Sequence, residues 1–406
     1  MLSFREAKET ILKGLPGVPA ETLAVRDVMR RILAEDLTAE TDLPAFDNSS
    51  MDGYALRAAD TIHARHDRCV KLQVIGDVRA GEFFDGSLMP GTAVRIMTGA
   101  PIPEGADAVV EQELVDARNG AIEISEHFTG GRNIRRKGEE VRKGSVVLKQ
   151  GTYLSPAAIG VLASHGIGRV KVFRQPRVAL LTTGSEVVDV DVPLLPGKIR
   201  NSNAYTLWGL IVDSACKPID LGKVGDEQSE LRSRIAEGLR YDVLVTTGGI
   251  SVGKHDLVLQ VLKDLGVEIR FWQVSIKPGM PMAFGICDAS GSHPVPVFAL
   301  PGNPVSTFVT FLQLVRPALR RLSGEVQLHP PLRLFARLEH DFPKKDAKRH
   351  FVRGIVRNDP GGLSVSVTGS QSSGILSSLV AANCLIVILE EQQDLKAGDE
   401  VEIELL

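Results

Sequence analysis

Between residues 177 and 322, apolar strands and helical stretches alternate, and that alternation leaves few folds open. RVALLTTG is an apolar run ending in small polar residues. NAYTLWGLIVDSAC has helical spacing, KPIDLGKVG reads as a strand, and EQSELRSRIAEGLR as a polar-faced helix. DVLVTTGG is a strand, HDLVLQVLKDLG helical, VEIRFWQVSI and VPVFALPG strands, and NPVSTFVTFLQLVRPALRRL one long helix. Such a series predicts an α/β domain with a mainly parallel sheet. Its near-continuous apolar strands suit a sheet covered on both faces.

At 406 residues the chain is too long for one core, so further domains are expected. The N-terminal stretch MLSFREAKETIL reads as an amphipathic helix opened by Ser3 and Glu6 at capping-box spacing. A second helix is expected over Val25–Ala34. The loop LPAFDNSSMDGYA follows, and from Val70 to Ile124 the chain reads as short strands (VKLQVIG, GTAVRIMTG, ADAVVEQE, AIEIS) broken by Gly and Pro. This predicts a small, irregular β-rich domain. GRNIRRKGEEVRKG has no apolar period and reads as a charged loop, after which Ser155 and Pro156 start a helix. From about Pro331 the chain is again strand-like (RLFARLE, HFVRGIVR, LSVSVT, NCLIVILEE, VEIELL), predicting a separate β-barrel or sandwich.

Composition removes several function classes. With 47 basic and 50 acidic residues the net charge is -3, which gives no reason to expect nucleic acid as partner. No apolar run reaches the roughly 18 residues of a membrane span, and the N-terminus lacks the features of a signal peptide. The four cysteines, Cys69, Cys216, Cys287 and Cys384, form no CxxC pair, so zinc and redox motifs are unsupported. Reduced core cysteines and a cytoplasmic setting are expected.

Two predicted strands end in glycine-rich turns, LLTTGSEV and LVTTGGISVG. Ligands of open α/β sheets sit beyond the carboxyl ends of strands, where free N–H groups at a helix start favour an anion such as phosphate. Gly248, Gly249 and Gly253 permit close backbone approach, and Ser251 adds a hydroxyl. The pattern is neither GxGxxG nor GxxxxGK[ST], which disfavours a dinucleotide site and a P-loop. The same residues also make a strand-to-helix turn with no ligand. Glu186, Asp226 and Asp256 accompany the strand ends. Three carboxylates at one sheet edge suit a Mg²⁺ that bridges a phosphate, while Asp226 and Asp256 taken singly are ordinary helix caps. IKPGMP and LPGNPVS are expected at or just past strand ends of the same sheet, which sets Lys277 over an anion or leaves it a solvated surface lysine.

Taken together, NSSMDGYA, RIMTGAPIPEGADAVV, NIRRKGEEV, LLTTGSEV, TTGGISVGKHD, IKPGMP, LPGNPVS, FVRG and TGSQSSGILSS resemble the MoeA family of molybdopterin molybdenumtransferases, which includes the gephyrin E domain. The matches run in order from about residue 40 to residue 380. TTGGISVG alone is shared with the molybdopterin adenylyltransferases, and the MDGYA and IMTGA stretches with the C-terminal β segment select the MoeA type. The resemblance implies a multidomain α/β plus β protein: a discontinuous linking domain (1–44 and 140–174), an irregular β-rich domain (45–139), a molybdopterin-binding α/β domain (175–324) and a C-terminal β-barrel-like domain (325–406). It implies a homodimer with its active cleft at the subunit interface. It also implies a reaction in which molybdate enters adenylylated molybdopterin with Mg²⁺-dependent release of AMP.

Catalytic positions carry over to Asp52, Thr98, Glu140 (Asp in many relatives), Glu186, Asp226, Asp256 and Lys277, with Mg²⁺ at Glu186, Asp226 and Asp256. Molybdopterin-nucleotide positions fall at Gly248, Gly249, Ser251, Gly253, Pro301 and Pro304, and molybdate positions at Arg353 and Ser373. Transient contacts with the adenylyltransferase and with recipient apoenzymes are implied too. Many relatives carry Lys where this chain has Gln273 and Met280, a loss of two positive charges near an oxyanion; Arg135, Arg136 and Lys137 are candidates to compensate. The resemblance leaves open whether the metal is molybdenum or tungsten. An adenylyltransferase and a scaffold protein are the competing readings. The β segments outside the α/β domain argue against the first, and the lack of a long disordered linker against the second.

Overall fold

The computed structural model describes residues 1–249, 257–288, 293–325 and 333–406. The chain forms two compact units. One comprises Met1–Glu35, Gly151–Pro156 and Arg169–Leu406, the other Asp36–Gln150 and Ala157–Gly168.

The larger unit contains the α/β sheet. Its six strands lie in the order Lys217–Val224, Arg177–Thr183, Val243–Thr247, Val295–Leu300, Ala283–Cys287 and Val267–Phe271. The first four run parallel, and Ala283–Cys287 turns antiparallel to both its neighbours. That strand is absent from the sequence reading, because GMPMAFGICD is short and punctuated by Gly and Pro. Alternate residues of Arg177–Thr183 serve two separate cores: Val178 and Leu180 pack with Leu207, Ile211, Val305 and Val309, whereas Ala179 and Leu181 pack with Leu231, Ile235, Val258 and Val261. The expectation of a doubly covered sheet therefore holds.

Local signals explain the helices. The Ser3 hydroxyl accepts from the Glu6 amide at 3.2 Å, and the Glu6 carboxylate accepts from the Ser3 amide at 2.8 Å, so the predicted capping box closes. Phe4, Ala7 and Ile11 of helix Phe4–Leu12 join the α/β core. The long helix is interrupted: helices Pro304–Thr310 and Arg316–Leu322 are joined by a π-helical turn, Phe311–Val315. The turn falls just before Pro317, which has no N–H to give to an α-helical ladder.

The expected helix over Val25–Ala34 is not formed. Only a 3₁₀ turn, Val25–Asp27, is present. Arg30 then takes a left-handed conformation (φ 63°), and Ile32 and Leu33 bridge to Tyr153 and Val172. Pairing with distant strand residues outweighs a weak local periodicity there.

The C-terminal segment closes into a five-stranded barrel. Arg349–Asp359 pairs with Gly362–Val367, then Leu334–Leu338, Glu400–Leu405 and Cys384–Ile388 follow, and the last pairs back to the first. Val352, Cys384, Ile386 and Ile388 fill the barrel, while Phe351, Leu385 and Val387 face outward into the α/β core. Period-two alternation thus makes one strand serve two cores.

The smaller unit holds a mixed six-stranded sheet in the order Ala108–Glu111, Gly53–Leu56, Thr92–Ile96, Val70–Val78, Ala121–Ile124 and Asp116–Arg118. Gly53 of MDGYA is demanded by packing, since a Cβ there would collide with the Val110 carbonyl. Cys216, Cys287 and Cys384 are buried free thiols as expected, but Cys69 is exposed. Among the described residues no helix is long and apolar enough to cross a membrane.

Candidate functional site

In the smaller unit three sequence motifs lie side by side. The segment Leu43–Asp52 is the middle lane. On one flank the Gly99 amide donates to the Ser49 carbonyl (2.8 Å), Ser49 N–H to Ala100 (3.0 Å) and Ile102 N–H to Asp47 (3.0 Å). On the other, Ser50 N–H donates to Asn133 (2.9 Å), Gly138 N–H to Pro44 (3.0 Å) and Glu140 N–H to Leu43 (3.0 Å). The loop is thereby stitched to both IMTGAPI and NIRRKGEE.

At one end of the lane Thr98 donates twice to Asp52 Oδ1, from its amide and from its hydroxyl, both at 2.7 Å. The Thr98 amide, then the hydroxyl, holds the exposed Asp52 carboxyl below the usual carboxylate range. Asp52 is thus an oriented, ionised acid whose second oxygen has no hydrogen-bond partner among the described residues. Glu140 is exposed on the neighbouring lane. Arg136 and Lys137 are tied to Asp47: Arg136 Nη1 lies 2.7 Å from Oδ2, and the Lys137 amide donates to Oδ1 at 2.7 Å.

In the larger unit the carboxyl edge of the α/β sheet gathers the second group. Gly248 (φ 90°) and Gly249 (φ 66°) are both left-handed. A Cβ on Gly248 would strike the Thr183 carbonyl, and one on Gly249 would stand 2.6 Å from Val258 Cγ2. Only glycine fits this turn. Glu186 folds back over Gly184, and Asp226 lies two residues beyond the neighbouring parallel strand, whose Val224 carbonyl accepts from Gly184 N–H at 3.0 Å. Both carboxylates are exposed, and neither has a hydrogen-bond or ion-pair partner among the described residues. Ser251, Gly253 and Asp256 lie outside the described residues, as does His255. The described residues contain no group of three metal-ligating side chains.

Sequence reasoning missed the polar bracket that fixes this edge. Buried Asn203 donates through Nδ2 to the Gly302 carbonyl (2.8 Å) and Thr247 Oγ1 (3.0 Å), and Thr307 Oγ1 donates to the Pro301 carbonyl (2.6 Å). The TTGG and LPGNP turns are joined through these side chains, with Pro304 in the first turn of its helix. The residue types sit at a helix start and a strand end, where capping accounts for them equally well, so no signal in the sequence marks them out.

Lys277 corrects an expectation. The strand Ile276–Lys277 does not belong to the α/β sheet; it pairs in parallel with Arg349–His350 at the barrel. The chain leaves the α/β sheet after Phe271, and its backbone finds partners in Leu2 and Arg349. Lys277 Nζ lies 3.5 Å from Asp346 Oδ2, an exposed pair. Asp346 Oδ1 meets His350 Nε2 at 2.8 Å. Burial opposes ionisation of Asp346, but the His350 hydrogen bond, the Lys348 amide and the charges of His350 and Lys277 bring it down to about 2. Lys348 Nζ lies 3.3 Å from Met280 Sδ, so a positive charge stands beside Met280.

Arg353 is 1% exposed and has no carboxylate partner among the described residues. Its guanidinium donates to the carbonyls of Ser370 (3.1 Å), Gln371 (3.3 Å) and Ser372 (3.0 Å) and to Ser378 Oγ (3.0 Å). Burial lowers its affinity for the proton, yet a guanidinium stays charged. Arg353 therefore shapes the loop before Ser373 and sets a buried positive charge beneath it. That loop reaches the α/β edge: Val305 N–H donates to the Ser373 carbonyl at 3.0 Å.

The chain combines a glycine-turned α/β domain and a five-stranded barrel with a separate β-rich unit, and its α/β domain is of the molybdopterin-binding class. Residues 2–166 match the MoeA N-terminal region (domain I and II), 179–321 the probable molybdopterin binding domain, and 336–406 the MoeA C-terminal region (domain IV). The chain is 40% identical to the molybdopterin molybdenumtransferase of Haemophilus influenzae over 100% of its own length and 98% of that protein. Identity to the Bacillus subtilis molybdopterin molybdenumtransferase is 37%, over 95% and 90% of the two chains. A crystal structure of the molybdopterin biosynthesis moeA protein from Pyrococcus horikoshii superimposes with a TM-score of 0.86 at 32% identity, covering 100% of both chains. The chain belongs to the molybdopterin molybdenumtransferase family.

Proposed function

We propose that this protein is the transferase that inserts molybdate into adenylylated molybdopterin, releasing AMP, in molybdenum cofactor biosynthesis. One observation carries the reading furthest: the Gly248–Gly249 turn, the LPGNP turn and the Ser373 loop are hydrogen-bonded into one edge. Such an edge suits a phosphate-bearing pterin at the glycine turns and an oxyanion at the serine loop.

The chain's own groups divide the work. Backbone at Gly248 and Gly249 admits the pyrophosphate. Ser373 and loop amides donate to molybdate, a substrate, with Arg353 supplying fixed positive potential from below. Lys277 and Lys348 add positive charge. Asp52, held ionised by Thr98, orients substrate or water, with Glu140 on the adjoining lane. Glu186 and Asp226, exposed carboxylates at one edge with no partner among the described residues, fit a hydrated Mg²⁺, with Asp256 as the third expected ligand. When bound, Mg²⁺ would neutralise charge on the departing phosphate. We further propose a cytoplasmic homodimer whose second copy completes the cleft. The exposed stripe Tyr205, Trp208 and Val212 at helical spacing on Ser202–Asp213 supports such a self-contact.

The test incubates the protein with adenylylated molybdopterin, molybdate and Mg²⁺. AMP release with formation of cofactor able to activate a molybdoenzyme is expected. No AMP, under conditions where the Haemophilus influenzae relative releases it, overturns the reading.

A further inference from the structure

The lane that ends in Asp52 carries, at Phe46, one member of an exposed aromatic pair. Phe46 and Phe83 stand with ring centroids 6.4 Å apart and planes tilted by 57°. Phe83 is 77% exposed and Phe46 42%. Phe84, the next residue, turns inward against Gly76 and Gly86 and packs in the cluster containing Ala100 and Ile102. That cluster lies under the IMTGAPI turn, and Ile102 N–H is bonded to the carbonyl of Asp47, the neighbour of Phe46. Both rings are therefore fastened to the same three-lane platform as Thr98 and Asp52. Beside them, Arg136 is anchored on Asp47 while remaining largely exposed. Phe46, Asp47 with its bound Arg136 guanidinium, and the ionised Asp52 thus lie along one short stretch of chain.

We propose that Phe46 and Phe83 form a stacking platform for a flat heterocycle of the substrate, with Arg136 reading the adjoining phosphate. This rests on the function proposed above. Adenylylated molybdopterin carries two such heterocycles, a pterin and an adenine, joined through a pyrophosphate. An aromatic side chain binds the face of either. The pair is a binding element set apart from Asp52 and Thr98, so it governs affinity for the substrate more than turnover.

The test uses the full chain with Phe83→Ala, Phe46→Ala, the double variant and Phe83→Trp, each checked for unchanged melting temperature. In AMP release, Phe83→Ala is expected to raise KM for adenylylated molybdopterin at least tenfold with kcat within twofold, and Phe83→Trp to restore it. Calorimetric titration with AMP alone and with pterin alone assigns the ring: whichever probe loses affinity in the double variant is the one stacked. A double variant with wild-type KM and unchanged binding of both probes overturns the proposal. So does a change of sedimentation from dimer to monomer, which would make the pair a contact between copies. If the wild-type protein releases no AMP, the proposed function fails; weaker AMP or pterin binding in the double variant still upholds the platform, and binding of neither probe to the wild type overturns it.

Discussion

The Val305 amide donates to the Ser373 carbonyl at 3.0 Å, and this bond joins the barrel to the carboxyl edge of the α/β sheet. Val305 is the second residue of the helix that follows LPGNP, and Ser373 closes the loop shaped by Arg353. Two motifs 68 residues apart in sequence thereby become one surface.

Arg353→Met is expected to destabilise the fold by about 2–4 kcal/mol, since three carbonyls and a buried hydroxyl lose a charged donor together. Urea denaturation measures this. Arg353→Lys should recover less than half, because one ammonium cannot reach four acceptors spread across a planar fork. A Lys variant as stable as wild type would show that the guanidinium geometry is dispensable.

Gly249→Ala should cost about 1–3 kcal/mol and lower AMP release, because its left-handed backbone and the 2.6 Å approach to Val258 both penalise a Cβ. Gly302→Ala is the matched control. Its Cβ would meet only Gly248 Cα, at an ordinary 3.5 Å, so thermal stability should stay near wild type.

Asp52→Asn should slow AMP release at least tenfold at unchanged melting temperature, and Thr98→Val should have a smaller effect, since the Thr98 amide still donates. Because Thr98 holds the Asp52 carboxyl below the ordinary 3.8, this group stays ionised through mildly acidic pH. No loss of rate near pH 4 should therefore trace to Asp52 in the wild type. A wild-type acid limb there that disappears in Asp52→Asn would contradict the assignment.

Burial of His350 lowers its pKa from 6.5, and the Asp346 hydrogen bond only partly opposes this. The folded state thus favours the neutral ring. Its contribution to stability is complete above pH 6.5 and is lost as pH falls through the depressed value. Asp346 contributes above 3.8 and is lost toward about 2. The melting temperature should fall between pH 7 and pH 5, and His350→Gln should flatten that slope. An equally steep slope in the variant would locate the titration elsewhere.

Trp208→Glu should convert the proposed dimer to monomer in sedimentation, since it places a charge amid Tyr205 and Val212. A variant that stays dimeric would move the self-contact to another face.

The α/β alternation, the Ser3–Glu6 capping box, the barrel strands and the Gly248–Gly249 turn were all legible in the sequence. Each depends on near neighbours: the period of apolar residues, a cap three residues away, a backbone conformation only glycine tolerates. The antiparallel strand Ala283–Cys287 was hidden because Gly and Pro blur its pattern. Only the tertiary structure decided that Val25–Ala34 would pair rather than coil, and that Lys277 would join the barrel and face Asp346. The same holds for the burial of Arg353 under the Ser373 loop and for the position of Asn203 between two turns. Those outcomes depend on hydrogen bonds and ion pairs between residues far apart in the chain, whose energies exceed weak local preferences and leave no periodic trace.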